Sequence, residues 1–183
     1  INKFIDNEMR HLTTRLEESC CLAVLDGRNS LFLHRTDPRD GVHCQKSPGK
    51  SELACLGAVG KSLLCDYKLK EISDLFLSNG QTLPNDINLY RLHVQMEETR
   101  FTSLSYEYGE VEPGIQCVAT PIRHQEKVVA ALGIILPVFR LTPEKILDCT
   151  RLLPVSAQRI ENTLASTTED ISDIFSLSGF RNL

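Results

Sequence analysis

The sequence predicts a mixed α+β domain whose central sheet is flanked by helices at both ends of the chain. Two apolar runs rich in β-branched residues, 115–122 and 128–136, flank the polar segment 123–127 and predict a β-hairpin. Neither run alternates between apolar and polar residues, so we expect both strands in the interior of the sheet. With 183 residues, 42% of them apolar, the chain can close one core, and we expect a single domain over residues 1–183.

The two terminal helices are predicted from helical spacing and capping residues. The first contains, at helical spacing, Phe4, Ile5, Met9, Leu12 and Leu16. We expect it to end near Cys20. The second begins at Thr142, which can cap it, has Pro143 in its first turn and extends to about Ala165. Pro154 is expected to kink or split this helix. Its predicted apolar face consists of Ile146, Leu147, Leu152, Leu153, Val155 and Ile160.

Between these helices, apolar runs and turn residues predict further elements. The turn at residues 26–29 separates strands predicted at 21–25 and 30–35. The other predicted strands are 42–45 and 103–108, and the other predicted helices are 51–64, 70–77 and 84–100. The C-terminal tail carries the apolar residues Ile171, Ile174, Phe175, Leu177 and Phe180. Because this content exceeds what one small core requires, we expect exposed apolar surface on the terminal helices and the sheet edge, and self-association through it.

Charge and cysteine content exclude several classes of protein. The net charge is −4, from 20 Lys plus Arg against 24 Asp plus Glu, which argues against a nucleic-acid surface within these residues. Seven cysteines, with Cys20 and Cys21 adjacent and no C-x-x-C, do not form a disulfide framework, so we expect a reducing, cytoplasmic setting. No apolar run approaches about 18 residues, so neither a membrane span nor a signal peptide is predicted.

The segment G-A-V-G-K-S at residues 57–62 resembles the end of a phosphate-binding loop. That loop requires a glycine where this chain has Cys55, so the spacing excludes it. The glycines instead indicate that a ligand or a neighbouring element approaches the start of a helix, whose free N–H groups favour a carboxylate. His43, Cys44, Cys55 and Cys65 lack the short spacing of a structural zinc site, and we predict neither a metal nor a cofactor.

Two further features concern acidic residues and a thiol. Glu107, Glu110 and Glu112 form either a solvated loop or a site in which Glu107 points into a cavity while Glu112 orders the loop near Gly114. Cys117 lies on the predicted hairpin and is a candidate weak donor to a ligand. A nucleophilic role for it would need a base and an oxyanion site, and no motif supports either.

Three segments carry a family resemblance. They are G-A-V-G-K-S-L-L at 57–64, S-Y-E-Y-G-E-V-E-P-G-I-Q-C-V-A-T-P-I at 105–122 with the core pattern E-x-x-x-G-x-x-C-x-A-x-P, and V-V-A-A-L-G-I-I-L-P at 128–137 followed by R-L-T-P-E at 140–144. In this order they resemble the effector-binding domain of the IclR family of bacterial transcriptional regulators, over essentially the whole chain. The resemblance implies a GAF-like fold, in which a curved, mostly antiparallel sheet cups a small-molecule pocket. It also implies a winged helix-turn-helix domain before this one, which is absent here, so DNA would be bound only through that missing domain.

The resemblance also implies the site residues. Backbone amides and small residues at Gly57, Ala58 and Val59, the acidic residue Glu107 and the thiol of Cys117 would line the effector pocket. Two positions that hold serines in the family are Gly133 and Ile135 here, and a frequent histidine is replaced by Cys55. We therefore expect the effector to be a small organic acid or a larger, less polar carboxylate.

The function implied is ligand sensing and oligomerisation, as a homodimer or tetramer in the cytoplasm, with no membrane partner and no catalysis. Two alternatives remain open. One is a GAF-like thiol enzyme or redox sensor that uses Cys117. The other is a dimerisation module with a vestigial pocket.

Overall fold

The computed structural model describes residues 1–41, 44–84, 87–181 and 183. The helices are α1 (Asn2–Leu16), α2 (Ala58–Leu63), α3 (Leu69–Leu77), α4 (Leu89–Thr102), α5 (Pro143–Ala165) and α6 (Ile171–Ile174). The strands are β1 (Ser19–Asp26), β2 (Asn29–Thr36), β3 (Ser51–Leu53), β4 (Ser105–Glu107), β5 (Ile115–His124) and β6 (Lys127–Pro137). Two single 3-10 turns lie at Ser78–Gly80 and Val138–Arg140.

The six strands form one curved, antiparallel sheet in the order β3-β2-β1-β6-β5-β4. The predicted hairpin is confirmed, because β5 and β6 pair from Ile115–Pro137 to His124–Lys127 and both lie in the sheet interior. Its two-residue turn places Gln125 and Glu126 at φ 50° and 65°, the left-handed pair that matches the twist of a tight hairpin. The predicted α+β class with a mostly antiparallel sheet is therefore correct.

Alternation of side chains along the strands gives the sheet two buried faces. On the first, here called the α5 face, Leu22, Leu132 and Ile134 pack in one cluster with residues of α1 and α5. On the second, the α2 face, Cys21, Cys117 and Ile135 pack in another cluster with residues of α2. Because both faces are covered, β1 and β6 are apolar on both sides and show no polar alternation.

Helix boundaries differ from the prediction at three places. Helix α1 ends at Leu16, because Glu17 adopts a left-handed conformation at φ 56°, and Cys20 belongs to β1. The segment predicted as one helix over 51–64 is β3, a turn and α2. The chain folds back so tightly there that a Cβ at Gly60 would overlap the backbone of Ala54. Helix α4 begins at Leu89, where the Asn88 side chain accepts a hydrogen bond from Arg91 N at 3.0 Å.

Other predicted segments need smaller corrections. The strand predicted at 42–45 has residues 42 and 43 outside the described part of the chain, and Cys44 and Gln45 are not in a strand. The strand predicted at 103–108 is shorter, since β4 spans Ser105–Glu107. Of the helix predicted at 84–100, residues 85 and 86 are likewise outside the described residues.

Helix α5 is continuous across Pro154 and is not split. Its predicted apolar face was partly wrong, since Leu147 and Val155 are exposed. Its buried residues are Cys149, Leu153, Ser156, Ala157, Ile160 and Leu164. Most of the apolar residues in the tail do not contribute to the predicted exposed surface. Ile174, Phe175 and Phe180 are buried in the cluster on the α5 face, where they extend the core.

Candidate ligand-binding site

All seven predicted site residues meet on the α2 face of the sheet. Gly57 caps α2, whose first two residues are Ala58 and Val59. Glu107 ends β4 and lies opposite Cys117 of β5, which in turn lies opposite Ile135 of β6. A Cβ at Gly133 would lie 2.7 Å from Val59 Cγ2, and a Cβ at Gly57 would lie 3.8 Å from Glu107 Oε2. The start of α2 therefore packs directly on the ends of these three strands.

The G-K-S residues hold α2 in this position. The Ser105 hydroxyl donates to Ala58 O at 2.6 Å and is 2.6 Å from the Ser62 hydroxyl. Lys61 Nζ donates to Tyr106 O at 3.0 Å. These contacts fasten α2 to β4, so Lys61 and Ser62 have a structural role, in agreement with the rejected phosphate-loop interpretation.

Lys46 is the residue of the site that the sequence did not indicate. It lies on the loop between β2 and β3, yet only 1% of its side chain is exposed. Its ammonium nitrogen is 3.1 Å from Glu107 Oε2 and 3.4 Å from Glu52 Oε2. The Glu52 carboxylate lies against Gly57, where any Cβ would overlap it. We refer to Lys46, Glu52 and Glu107 as the Lys46 cluster.

The polar atoms of the Lys46 cluster are only partly satisfied. Glu107 Oε1 accepts a hydrogen bond from Val111 N at 3.2 Å. Among the described residues, Lys46 Nζ, both oxygens of Glu52 and Glu107 Oε2 are buried and have no partner in hydrogen-bond geometry. Lys46 is attracted to Glu52 and Glu107 as their ion-pair partner, although none of these contacts has hydrogen-bond geometry. Buried groups in this condition are exceptional, and a buried ion pair without full hydrogen bonding adds little to stability.

The local electrostatics favour a charged lysine and a neutral thiol. Burial would lower the pKa of Lys46, but the acidic groups around it, Cys117, Glu52 and Glu107, raise it overall. The hydrogen bond with Cys21 and burial raise the pKa of Cys117, so this thiol is protonated at neutral pH. Burial also raises the pKa of Glu52, against the effect of Lys46, and Glu107 adds to the rise. One ammonium and two carboxylates give the cluster a formal charge of −1.

The three acidic residues flagged in the sequence have separate roles. Glu107 is fully buried and points inward, which agrees with the second of the two alternatives from the sequence. Its carboxylate contacts the ammonium group of Lys46. Glu110 pairs with Lys61 at 3.5 Å. Glu112 Oε2 accepts a hydrogen bond from Gln45 N at 3.3 Å and so ties the β4–β5 loop to the loop that carries Lys46.

Cys117 lacks the surroundings of a catalytic thiol. A raised pKa disfavours the thiolate that would act as the nucleophile. A disulfide with Cys21 is also excluded in this fold. The two residues lie on β5 and β1, with β6 between them, and their Cα atoms are therefore about 9 to 10 Å apart, beyond disulfide range. All seven cysteines are free thiols.

The described residues contain neither a metal-binding group nor a membrane-spanning helix. Within the ranges that the structure describes, no group of three or more His, Cys, Asp or Glu side chains is arranged to hold a metal ion. In the same ranges, the helices are too short or too polar for any of them to span a bilayer.

This fold is that of a GAF-like α+β domain. Residues 1–162 match the family described as Bacterial transcriptional regulator IclR C-terminal, and the chain belongs to that family. It is 26% identical over 161 residues to the HTH-type transcriptional repressor AllR of Klebsiella pneumoniae, covering 85% of this chain and 59% of that protein. The chain thus spans about three fifths of the length of the curated relatives it matches.

Two solved structures show the same fold. The C-terminal domain of the E. coli transcriptional regulator KdgR superposes with a TM-score of 0.73 at 20% identity, covering 90% of this chain and 99% of that one. An IclR homologue from Microbacterium hydrocarbonoxydans, solved in complex with 4-hydroxybenzoate, gives a TM-score of 0.78 at 20% identity, covering 90% of this chain and 68% of that one.

Proposed function

We propose that this chain is the effector-sensing and self-associating part of a cytoplasmic IclR-type transcriptional regulator. A further domain of the full-length regulator would contact DNA, since these residues carry a net charge of −4 and no clustered basic surface was found in the sequence. The observation that carries the proposal is the Lys46 cluster. Charged and incompletely bonded groups buried between α2 and the sheet contribute little to stability and are better suited to exchange with a ligand.

Binding at this position has a route to the rest of the domain. The cluster touches α2 through Gly57, β4 through Glu107 and the β2–β3 loop through Lys46. Helix α2 packs on α4, and its links to Ser105 hold it to β4 as one unit. A ligand that fits only one arrangement of these elements would shift the population of domain arrangements, which the DNA-binding part would report.

Two other functions compete with sensing. A thiol enzyme acting through Cys117 is disfavoured by its protonated, fully buried thiol. A dimerisation module with a vestigial pocket is favoured by one observation: Lys46 and Glu52 already fill the space between α2 and Glu107. A binding measurement separates that function from a sensor in which an effector displaces these side chains.

The residues around the site favour some classes of effector over others. The family resemblance favours a carboxylate, and 4-hydroxybenzoate in the related complex is of that class. Replacement of the two serine positions by Gly133 and Ile135 would favour a larger, less polar acid. The charges of the Lys46 cluster, which sum to −1, oppose any acid that would lie beside Glu107.

The proposed function is tested by a thermal-shift screen of small acids, amines and neutral compounds, followed by calorimetry on the compounds that stabilise the chain. We expect one chemical class to raise the melting temperature, and Glu107→Gln to change its dissociation constant by about tenfold. Glu97→Gln, at an exposed glutamate of α4, is the matched control and should leave binding unchanged. Absence of any ligand from all three classes would favour the vestigial pocket, and conversion of a bound compound to product would favour an enzyme.

A further inference from the structure

We propose that the buried site takes a small molecule with a primary ammonium group, which replaces the Lys46 ammonium between Glu52 and Glu107. This inference rests on the proposed function of the site as an effector pocket, and it names the chemical class of the effector. In the structure, Lys46 occupies the position that the ammonium group of the effector would take.

The balance of charge in the Lys46 cluster favours an incoming ammonium group over a carboxylate. With Lys46 in place the cluster has one positive and two negative groups, and with Lys46 withdrawn it has two carboxylates and no cation. Glu107 is completely buried, so water cannot compensate it. An incoming ammonium restores the two ion pairs, whereas an incoming carboxylate brings a third negative charge to the same buried site.

Unused hydrogen-bonding capacity is the second argument. Lys46 forms ion pairs with both carboxylates, and four polar atoms of the cluster are without a partner in hydrogen-bond geometry among the described residues. The position of Lys46 is limited by its backbone, which lies on a loop held elsewhere. A free ammonium group with three donors has no such tether, so it can align with Glu52 and Glu107 together.

The walls of the site fit the apolar body of such a ligand. The Lys46 side chain is buried, and its ammonium interacts with Cys117 and Cys21, which belong to the same apolar cluster on the α2 face as Phe32, Val59 and Ile135. Its four-carbon stem is the part of the lysine that such a surface accommodates. An alkyl chain of about four carbons ending in an ammonium therefore reproduces what the site already contains.

The loop that carries Lys46 is held beyond this residue by β2, where Gly49 N donates to Phe32 O and Phe32 N donates to Lys50 O, each at 2.9 Å. Gln45 N donates to Glu112 Oε2 at 3.3 Å, and Lys46 O accepts a long hydrogen bond of 3.4 Å from Arg35 Nη1. The neighbouring residues 48–50 are exposed. A surface cavity of about 390 Å³, lined in part by Arg35, Cys44, Ser47 and Pro48, lies along this loop. Release of the Lys46 side chain toward this cavity is the movement that the proposed exchange requires.

The test replaces Lys46 by a smaller residue and offers its side chain back as a free molecule. Lys46→Ala removes the internal ammonium, and n-butylammonium, butyrate and 1-butanol are then compared by thermal shift and calorimetry at pH 7. We expect n-butylammonium to stabilise Lys46→Ala and to bind about tenfold more tightly than either comparison compound. The wild-type chain should bind the same amine more weakly, because Lys46 competes for the site. Lys50→Ala, an exposed lysine on the same loop, is the control and should behave as wild type.

Several results of these binding measurements would contradict the inference. Preference for butyrate would overturn the amine inference and leave the proposed sensor with an acidic effector. Equal stabilisation of Lys46→Ala by 1-butanol would contradict the inference, because it would show that the site is only an apolar cavity. Failure of the wild-type chain to bind n-butylammonium at concentrations that saturate Lys46→Ala would also contradict it, because Lys46 would then not be displaced. No response from any chain to any of the three compounds would count against the inference and the proposed function together. If Lys46→Ala does not fold, Lys46→Ala/Glu52→Gln, which has one buried carboxylate fewer, is measured against the same three compounds with the same criteria.

Discussion

Gly133 lies beneath Val59, and the absence of a side chain there allows α2 to rest on the sheet. A Cβ at this position would be 2.7 Å from Val59 Cγ2 and 3.1 Å from the sulfur atoms of both Cys21 and Cys117. The family resemblance places a serine at this position, where its hydroxyl would line the effector pocket. The packing indicates instead that a serine would first push α2 and the two thiols apart.

The first prediction concerns this contact. Gly133→Ala should lower the free energy of unfolding by about 1 to 3 kcal/mol, because the added methyl group overpacks the site. In Gly133→Ala/Val59→Ala the nearest clash is removed, so the double variant should be less destabilised than the sum of the single variants. Urea unfolding of the four proteins measures this coupling. Strict additivity would show that α2 does not bear on Gly133 in solution.

At the scale of elements, Asp6 joins α1, β2 and the C-terminal tail. Its carboxylate lies 2.8 Å from His34 Nε2 on β2 and accepts a hydrogen bond from Arg10 Nε at 2.7 Å. The ring of Phe180 stacks on His34 with centroids 5.0 Å apart. Burial alone would raise the pKa of Asp6, but the hydrogen bonds from Arg10 and His34 outweigh it and lower the pKa.

The sign of this shift gives a pH-dependent prediction. A carboxyl group with a lowered pKa in the folded state adds stability above its ordinary pKa of 3.8, and that stability is lost as pH falls through the lowered value. Asp6→Asn should therefore cost about 2 kcal/mol at pH 7 and progressively less below pH 3.8. Denaturant unfolding between pH 7 and pH 3 measures it, with the exposed Asp148→Asn as control. A loss that stays constant over this range would contradict the assigned role of the charge.

At the scale of the whole molecule, the surface retains large apolar side chains although the tail is buried. Phe101 is 94% exposed, Phe139 is 79% exposed and Tyr90 is 70% exposed, while Leu147 and Val155 lie on the outer face of α5. Single exposed apolar residues are ordinary, but several large ones on one small domain are typical of an interaction surface. Self-association therefore remains expected, and α5 is one of the terminal helices on which we predicted the exposed apolar surface.

Sedimentation at micromolar concentration should show a dimer or a larger species. Replacing Leu147 and Val155 on α5 by lysine and, separately, Tyr90 and Phe101 on α4 by lysine tests which helix contributes. We expect at least one of these pairs to weaken association by about tenfold or more, since a buried charge opposes an apolar interface. A chain that is strictly monomeric at high concentration would overturn the expectation.

The elements that the sequence predicted well are those encoded by local patterns. The β5–β6 hairpin follows from two adjacent apolar runs around a polar turn, and α5 begins where Thr142 accepts a hydrogen bond from Lys145 N at 3.1 Å. The predictions failed where distant contacts override local preference. The segment 51–64 has helical spacing, yet its first residues pair with β2, because Leu31 lies opposite Ser51.

The sequence by itself determined the class of fold and the residues that would meet under α2, since the strands bearing Glu107, Cys117 and Ile135 were visible as patterns and the family motifs span them. Only the tertiary structure decided what fills that space. Lys46 lies in a polar turn whose local sequence indicates exposure, and its burial depends on Glu52 and Glu107, which reach it from two other strands. A buried charge is set by the sum of its neighbours, and those neighbours come together only when the sheet has formed.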